Sequence, residues 1–128
     1  MTGNYCRMTK ARILIVEDDD IIARLIEWRI KKLGYDICGR AADGNEAVSL
    51  IERMSPDLVL LDIGLPGDCD GISVAREVRR TNDMPIVFVT AHSHGEIIER
   101  AKQTRPNGFI LKPFNDDDLR VGIELALR

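Results

Sequence analysis

Acids, a hydroxyl and a lysine stand at the ends of four apolar runs. Glu17, Asp18 and Asp19 follow Ile13 to Val16, Asp62 follows Leu58 to Leu61, Thr90 follows Ile86 to Val89, and Lys112 follows Gly108 to Leu111. Carboxylates side by side repel one another and raise their own pKa values, which is costly unless a cation compensates. Oxygen ligands without an accompanying His or Cys cluster favour Mg2+, with Mn2+ as the alternative, over zinc. A few carboxylates completed by water suit octahedral Mg2+ that also holds a phosphate. An Asp on a rigid strand end can attack phosphorus and form an aspartyl phosphate while metal and lysine neutralise charge. Asp62 is the best placed acid for that role. Lys112 supplies a mobile point charge for one phosphoryl oxygen, and the Thr90 hydroxyl can donate to another.

These groups can meet only if the runs are strands of one sheet. Strand-length apolar runs recur at Arg12 to Val16, Asp57 to Leu61, Pro85 to Thr90 and Gly108 to Leu111, with a weaker one at Tyr35 to Arg40. The strongest three are continuously apolar, as expected for central parallel strands covered on both faces. Helical spacing separates them. Ile22, Ile26, Ile30 and Leu33 share one face, and Ala47, Val48, Leu50, Ile51 and Met54 form another apolar side. A third helix is expected over Asp70 to Thr81, a fourth over Gly95 to Thr104, and a last one with Leu119, Ile123, Ala126 and Leu127 buried. Gly34 reads as a helix C-terminal glycine, and Asn115 as a cap ahead of Asp116, Asp117 and Asp118. The pattern predicts a doubly wound (βα)5 sandwich of the flavodoxin-like class, a five-stranded parallel sheet in order 2-1-3-4-5. Its crevice lies beyond the carboxyl ends of the strands.

Composition narrows the function classes. A chain of 128 residues is the size of one domain, and residues 11–128 are assigned to it, with 1–10 as a flexible leader. No apolar run reaches membrane-spanning length, and the leader lacks the apolar stretch of a secretory signal. Cys6, Cys38 and Cys69 fit neither a disulfide framework nor a CxxC site, and read as reduced thiols in the cytoplasm. A net charge of −3 argues against direct nucleic-acid binding.

The motifs V-E-D-D at Val16 to Asp19, L-D-I-G-L-P at Leu61 to Pro66, T-A at Thr90 and Ala91, and K-P-F at Lys112 to Phe114 resemble the response-regulator receiver family. The resemblance covers Ala11 to the C-terminus. It implies Asp62 as phosphoacceptor, Glu17 and Asp18 as acids for Mg2+, and the Gly64 carbonyl as a further metal ligand. Thr90 and Lys112 match the family's phosphate-sensing hydroxyl and lysine, Phe109 its switch aromatic, and Lys112-Pro113 its cis peptide. The implied donor is a histidine kinase or histidine phosphotransfer protein. The implied output is a downstream protein or fused domain reached through the face of the fourth helix, fifth strand and fifth helix, which is also a candidate homodimer contact. Such a domain assists its own modification and turns over no separate metabolite.

Three departures from the family pattern stand out. Glu17 replaces the frequent Asp and is one methylene longer. Phe109 replaces the frequent Tyr and has no phenolic hydroxyl. The segment Gly67 to Gly71 is longer than the commonest loop and bears on access to Asp62 through Asp68 and Cys69.

Other residues carry blander expectations. Asp19 is expected to start the first helix, Asp116 to Asp118 to favour a positive helix end, His92 and His94 to be exposed, and Arg76, Arg79 and Arg80 to form a solvated face. Trp28 lies beside Ile21 and Leu25, off the main buried stripe. It is either a docking patch for a partner helix or the flank of a contact with the last helix. Two rival functions share parts of this pattern. An aspartate-nucleophile phosphatase would need a second acid where Gly64 stands, and a flavin-type phosphate loop would be repelled by Glu17, Asp18 and Asp19. A third rival is a phosphorylation-independent interaction module.

Overall fold

The structure is a computed structural model, and it describes residues 10–91 and 95–128. The expectations for His92 and His94, for Cys6 and for most of the leader lie outside the described residues. Strands and helices alternate as β1 (Arg12–Val16), α1 (Asp20–Lys32), β2 (Asp36–Ala41), α2 (Gly44–Met54) and β3 (Leu58–Asp62). They continue as α3 (Gly71–Arg79), β4 (Ile86–Thr90), α4 (Gly95–Lys102), β5 (Gly108–Leu111) and α5 (Asp116–Leu127). All neighbouring strands are parallel, and the sheet order is β2-β1-β3-β4-β5.

The strand periodicity of two sorts the core into layers. Leu14, Val16, Val59, Leu61 and Phe88 point to one side, where they meet residues of α2, α3 and α4. Ile13, Ile15, Leu60, Val87 and Ile110 point to the other, against α1 and α5. Every residue of β3 and β4 is buried, which is why these runs are apolar on both faces. Each fully buried Leu or Ile contributes about 1.5–3 kcal/mol of transfer free energy, so the central strands carry a large share of the core's stabilisation.

Local chemistry sets the helix ends. Asp19, Asp43, Asp70 and Asn115 are the N-caps, and Asn115 forms a capping box with Asp118. Gly34 ends the first helical region at φ +99°, a conformation that suits glycine. The third helix begins one residue later than expected because Asp70 spends its carboxylate on the Ser73 N–H as a cap. The fourth ends earlier, at a turn in which Arg105 takes φ +56°.

Arg79 corrects the expectation of a solvated basic face. Arg76 and Arg80 are exposed, but the Arg79 guanidinium donates to the carbonyls of Thr104, Met84 and Arg105, and to Asn107 Oδ1. It ties the end of α3 to the turns before β4 and β5.

Candidate functional site

The register delivers the chemistry-bearing residues to one edge. Val16 lies beside Leu61, Asp62 beside Val89 and Thr90 beside Leu111, so the residues that follow or end β1, β3, β4 and β5 emerge together. Glu17 is 2% exposed, and its N–H donates to the Ala41 carbonyl at 3.0 Å, which extends the β1–β2 pairing to the site. Asp62 is 8% exposed and Thr90 fully buried, whereas Asp18 is exposed. Carboxylate oxygens of Glu17, Asp18 and Asp62 lie within 4.8 Å of one another.

Lys112 enters this cluster from β5. Its backbone N–H donates to the Thr90 carbonyl at 2.9 Å, and the Lys112-Pro113 peptide is cis. The ammonium group donates to Glu17 Oε1 at 2.8 Å and stands 3.6 Å from Asp62 Oδ2. Glu17 Oε2 accepts the Asp19 N–H at 3.1 Å, and Asp62 Oδ1 accepts the Gly64 N–H at 3.2 Å. Burial lifts the Glu17 pKa above its ordinary value, and the nearby Asp62 charge adds to that. The hydrogen bonds from Lys112 and Asp19 do not cancel the rise. Burial works to lower the Lys112 pKa, but its hydrogen bond to Glu17 and the two negative charges outweigh it and the net shift is upward. Lys112 is therefore an ammonium at neutral pH.

Two glycines hold the edge in shape, and neither was singled out from the sequence. A Cβ on Gly71 would fall 2.1 Å from the Asp62 carbonyl oxygen, so the start of α3 packs directly under the end of β3. A Cβ on Gly44 would fall 2.2 Å from the Cys69 carbonyl oxygen. The longer loop therefore rests on the first turn of α2, with the Cys69 side chain packed against the core. The signal available in the sequence was an Asp-Gly pair at the start of each helix, Asp43-Gly44 and Asp70-Gly71.

The sequence carries the signature of one family along nearly its whole length: residues 13–124 match the model of the response regulator receiver domain. The chain belongs to the response regulator receiver family. It is thus a receiver domain of two-component signalling. The receiver is 40% identical over 116 residues to the transcriptional regulatory protein PdtaR of Mycobacterium tuberculosis, covering 91% of this chain and 56% of that protein. It is 37% identical over 121 residues to the probable transcriptional regulator ycf27 of Porphyridium aerugineum, covering 94% and 50%. It spans about half the length of these curated relatives. Among solved structures, the receiver domain of a modulated diguanylate cyclase from Desulfovibrio desulfuricans matches with a TM-score of 0.86 and 35% identity, over 93% of this chain and 94% of that one. A CheY-like receiver domain protein from Methanospirillum hungatei matches at 0.85 and 28%, over 93% and 94%.

The remaining expected residues of the receiver fall outside the acid cluster. Phe109 is partly buried, its ring 5.6 Å from that of Phe88 and packed against the core on the side of α2 to α4. Asp19 caps α1 through the N–H groups of Ile21 and Ile22, so it is engaged away from the cluster. Ile21, Leu25 and Trp28 are 78%, 44% and 59% exposed, forming an apolar stripe on α1. The Lys32 ammonium lies 4.3 Å from the Trp28 ring centre. Among the described residues no helix is long and apolar enough to cross a membrane.

Proposed function

We propose that this receiver takes a phosphoryl group onto Asp62 from the phosphohistidine of a histidine kinase or histidine phosphotransfer protein, with Mg2+ as cofactor and Mn2+ able to replace it. The observation that carries the reading is the meeting of a buried Asp62, two further acids and an ammonium group at one sheet edge. The donor set fits a hard divalent cation, since it offers only oxygen ligands, with two of its three carboxylates buried and Glu17 disfavoured as an anion by that burial. Glu17, Asp18, Asp62 and the Gly64 carbonyl would hold that ion, which when bound supplies positive charge to offset the acids and the phosphoryl oxygens.

Asp62 is steadied by the Gly64 N–H at one oxygen. A carboxylate oxygen attacks phosphorus, the O–P bond forms as the P–N bond breaks, and the imidazole leaves with the electron pair. Lys112 balances charge on a phosphoryl oxygen, and the Thr90 hydroxyl donates to another. As Thr90 moves toward the phosphate, the Phe109 ring turns inward and the face of α4, β5 and α5 repacks. Leu111, Val121 and Leu125 are exposed on β5 and α5, and they suit contact with a downstream protein, a fused output domain or a second copy. The domain assists its own modification and turns over no separate metabolite. Incubation with labelled phosphoramidate tests the chemistry: label enters with Mg2+ and is absent when the cation is chelated, and label that enters equally in both overturns the cofactor assignment.

The Glu17 shift sets a pH dependence. A raised folded-state pKa gives the metal-free protein stability that is full below the unfolded value and lost as pH rises through the folded value. Ionised Glu17 thus weighs against the metal-free fold at neutral pH, and cation binding relieves it. The rise in Tm produced by Mg2+ is expected to be largest near neutral pH and to shrink as pH falls toward the carboxylate range. In Glu17→Gln the Mg2+ effect should be smaller throughout and less dependent on pH, which differential scanning calorimetry would show.

The α1 stripe suits a partner helix beside the site. Trp28→Ala is expected to slow transfer from a phosphohistidine protein about tenfold or more, as loss of an interface aromatic does. Labelling by phosphoramidate should be unchanged. Equal slowing with both donors would remove Trp28 from partner docking.

A further inference from the structure

The backbone that carries Lys112 is held on both sides. Upstream, the Lys112 N–H donates to the Thr90 carbonyl at 2.9 Å. Downstream, the hold comes from α1. Arg29 Nη1 donates to the Phe114 carbonyl at 3.1 Å, and the guanidinium carbon lies 5.5 Å from the centre of the Phe114 ring. The same Nη1 stands 3.4 Å from Asp116 Oδ1, and Lys32 Nζ stands 3.0 Å from Asp116 Oδ2. Arg29 accepts a cost for this place. Its Nε is shielded from solvent and meets no hydrogen-bond acceptor among the described residues, a penalty that an arginine turned outward to water avoids. The planar cation on the ring and the charge-assisted bond to the carbonyl offset it, and a lysine cannot supply both at once. Between the two holds the chain is stiff. Pro113 has a locked φ and the peptide planes beside it do not turn, so few soft dihedrals separate the Phe114 carbonyl from the Lys112 Cα.

We propose that Arg29 is a positioning residue for the phosphoryl site: by clamping the carbonyl and ring of Phe114 from α1, it fixes where the Lys112 ammonium stands against Asp62. The inference rests on the reading of Asp62 as phosphoacceptor and of Lys112 as the cation for a phosphoryl oxygen. Without the clamp, Phe114 and the segment before it drift, and the ammonium group is spread over positions of which only some face Asp62. Arg29 acts through Lys112, so its removal costs rate only while Lys112 is present. A residue that merely supports the fold would cost rate in either case.

The test is a cycle of labelling rates with phosphoramidate at saturating Mg2+ on the wild type, Arg29→Met, Lys112→Met and the double variant. Methionine keeps the stem and deletes the guanidinium, and a small donor needs no docking surface on α1. Arg29→Met is expected to slow labelling of the wild type about tenfold, less than the roughly hundredfold cost of a misplacement on the order of 1 Å. That slowing should exceed its effect in the Lys112→Met background at least about fivefold. A smaller difference makes Arg29 a general support of the fold and overturns the proposal. Arg29→Lys gives a second reading, because it keeps the stem and the charge toward Asp116 but loses the fork and the planar face. It should slow labelling at least about threefold, and a rate closer to wild type overturns the clamp on Phe114. A wild type that takes no label overturns the reading of Asp62 and the proposal with it. A labelled wild type with an indifferent Arg29→Met overturns the positioning role alone.

Discussion

Lys112→Met is expected to slow phosphorylation of Asp62 by a small donor about a hundredfold or more, the usual cost of removing a charge aimed at a developing oxyanion. Methionine keeps most of the stem and deletes the ammonium group, so packing beside Pro113 is largely preserved. What is lost is the cation that stands 2.8 Å from Glu17 and 3.6 Å from Asp62. The same change leaves Glu17, 2% exposed, without its ion-pair partner in the metal-free protein. Removing one member of a buried pair is strongly destabilising, on the order of 3–5 kcal/mol when nothing replaces it. The Tm without metal is therefore expected to fall, and to recover substantially when Mg2+ is added. Rates of labelling and Tm with and without Mg2+ check both parts. A variant that labels at the wild-type rate would remove Lys112 from the phosphoryl site.

Gly71→Ala carries the second large effect, and it arises from backbone contact alone. The added methyl carbon would sit 2.1 Å from the Asp62 carbonyl oxygen, 2.7 Å from Ile63 Cα and 2.9 Å from the Asp62 carbonyl carbon. None of these is a flexible side-chain end, so either α3 or the end of β3 must shift. Overpacking of this kind costs about 1–3 kcal/mol and more where backbone must move. Gly71 N–H also donates to the Ile63 carbonyl at 2.9 Å, a bond that locks the helix start to the strand end. The shift displaces Asp62, and a misplacement on the order of 1 Å costs about a hundredfold in rate. Urea unfolding should show a lowered midpoint, and labelling should slow even in the folded fraction. Gly95→Ala is the control, since among the described residues nothing lies within 4 Å of its added carbon. Wild-type stability in Gly71→Ala would contradict the packing of α3 under the site.

The sequence made the central strands and the acid cluster readable because both depend on local pattern. Ile13 to Val16, Leu58 to Leu61 and Ile86 to Val89 are apolar on both faces because both faces are covered. Short βα connections fix their direction. Asp62, Thr90 and Lys112 then follow from strand ends alone. The exposure of Trp28 was foreshadowed by its place off the buried stripe, although the wheel could not separate an open surface from a contact with α5. Arg79 was not legible: its partners come from the turns before β4 and β5, far along the chain, and a basic run on a helix says nothing of them. The packing of Gly44 and Gly71 was likewise hidden, because a glycine needed for close approach looks like any other Asp-Gly pair. The engagement of Glu17 with Lys112 depends on side-chain reach across 95 positions, which no spacing rule encodes.

The most direct test of the phosphoacceptor reading is the intact mass of the protein after incubation with acetyl phosphate, with and without Mg2+, for the wild type and Asp62→Asn. The expected result is the mass of a single phosphoryl group added to the wild type only when Mg2+ is present, and to Asp62→Asn under neither condition. A folded wild type that gains no mass with Mg2+, or an Asp62→Asn protein that gains it equally, would contradict the assignment of Asp62 and favour a phosphorylation-independent interaction module built on the α1 stripe.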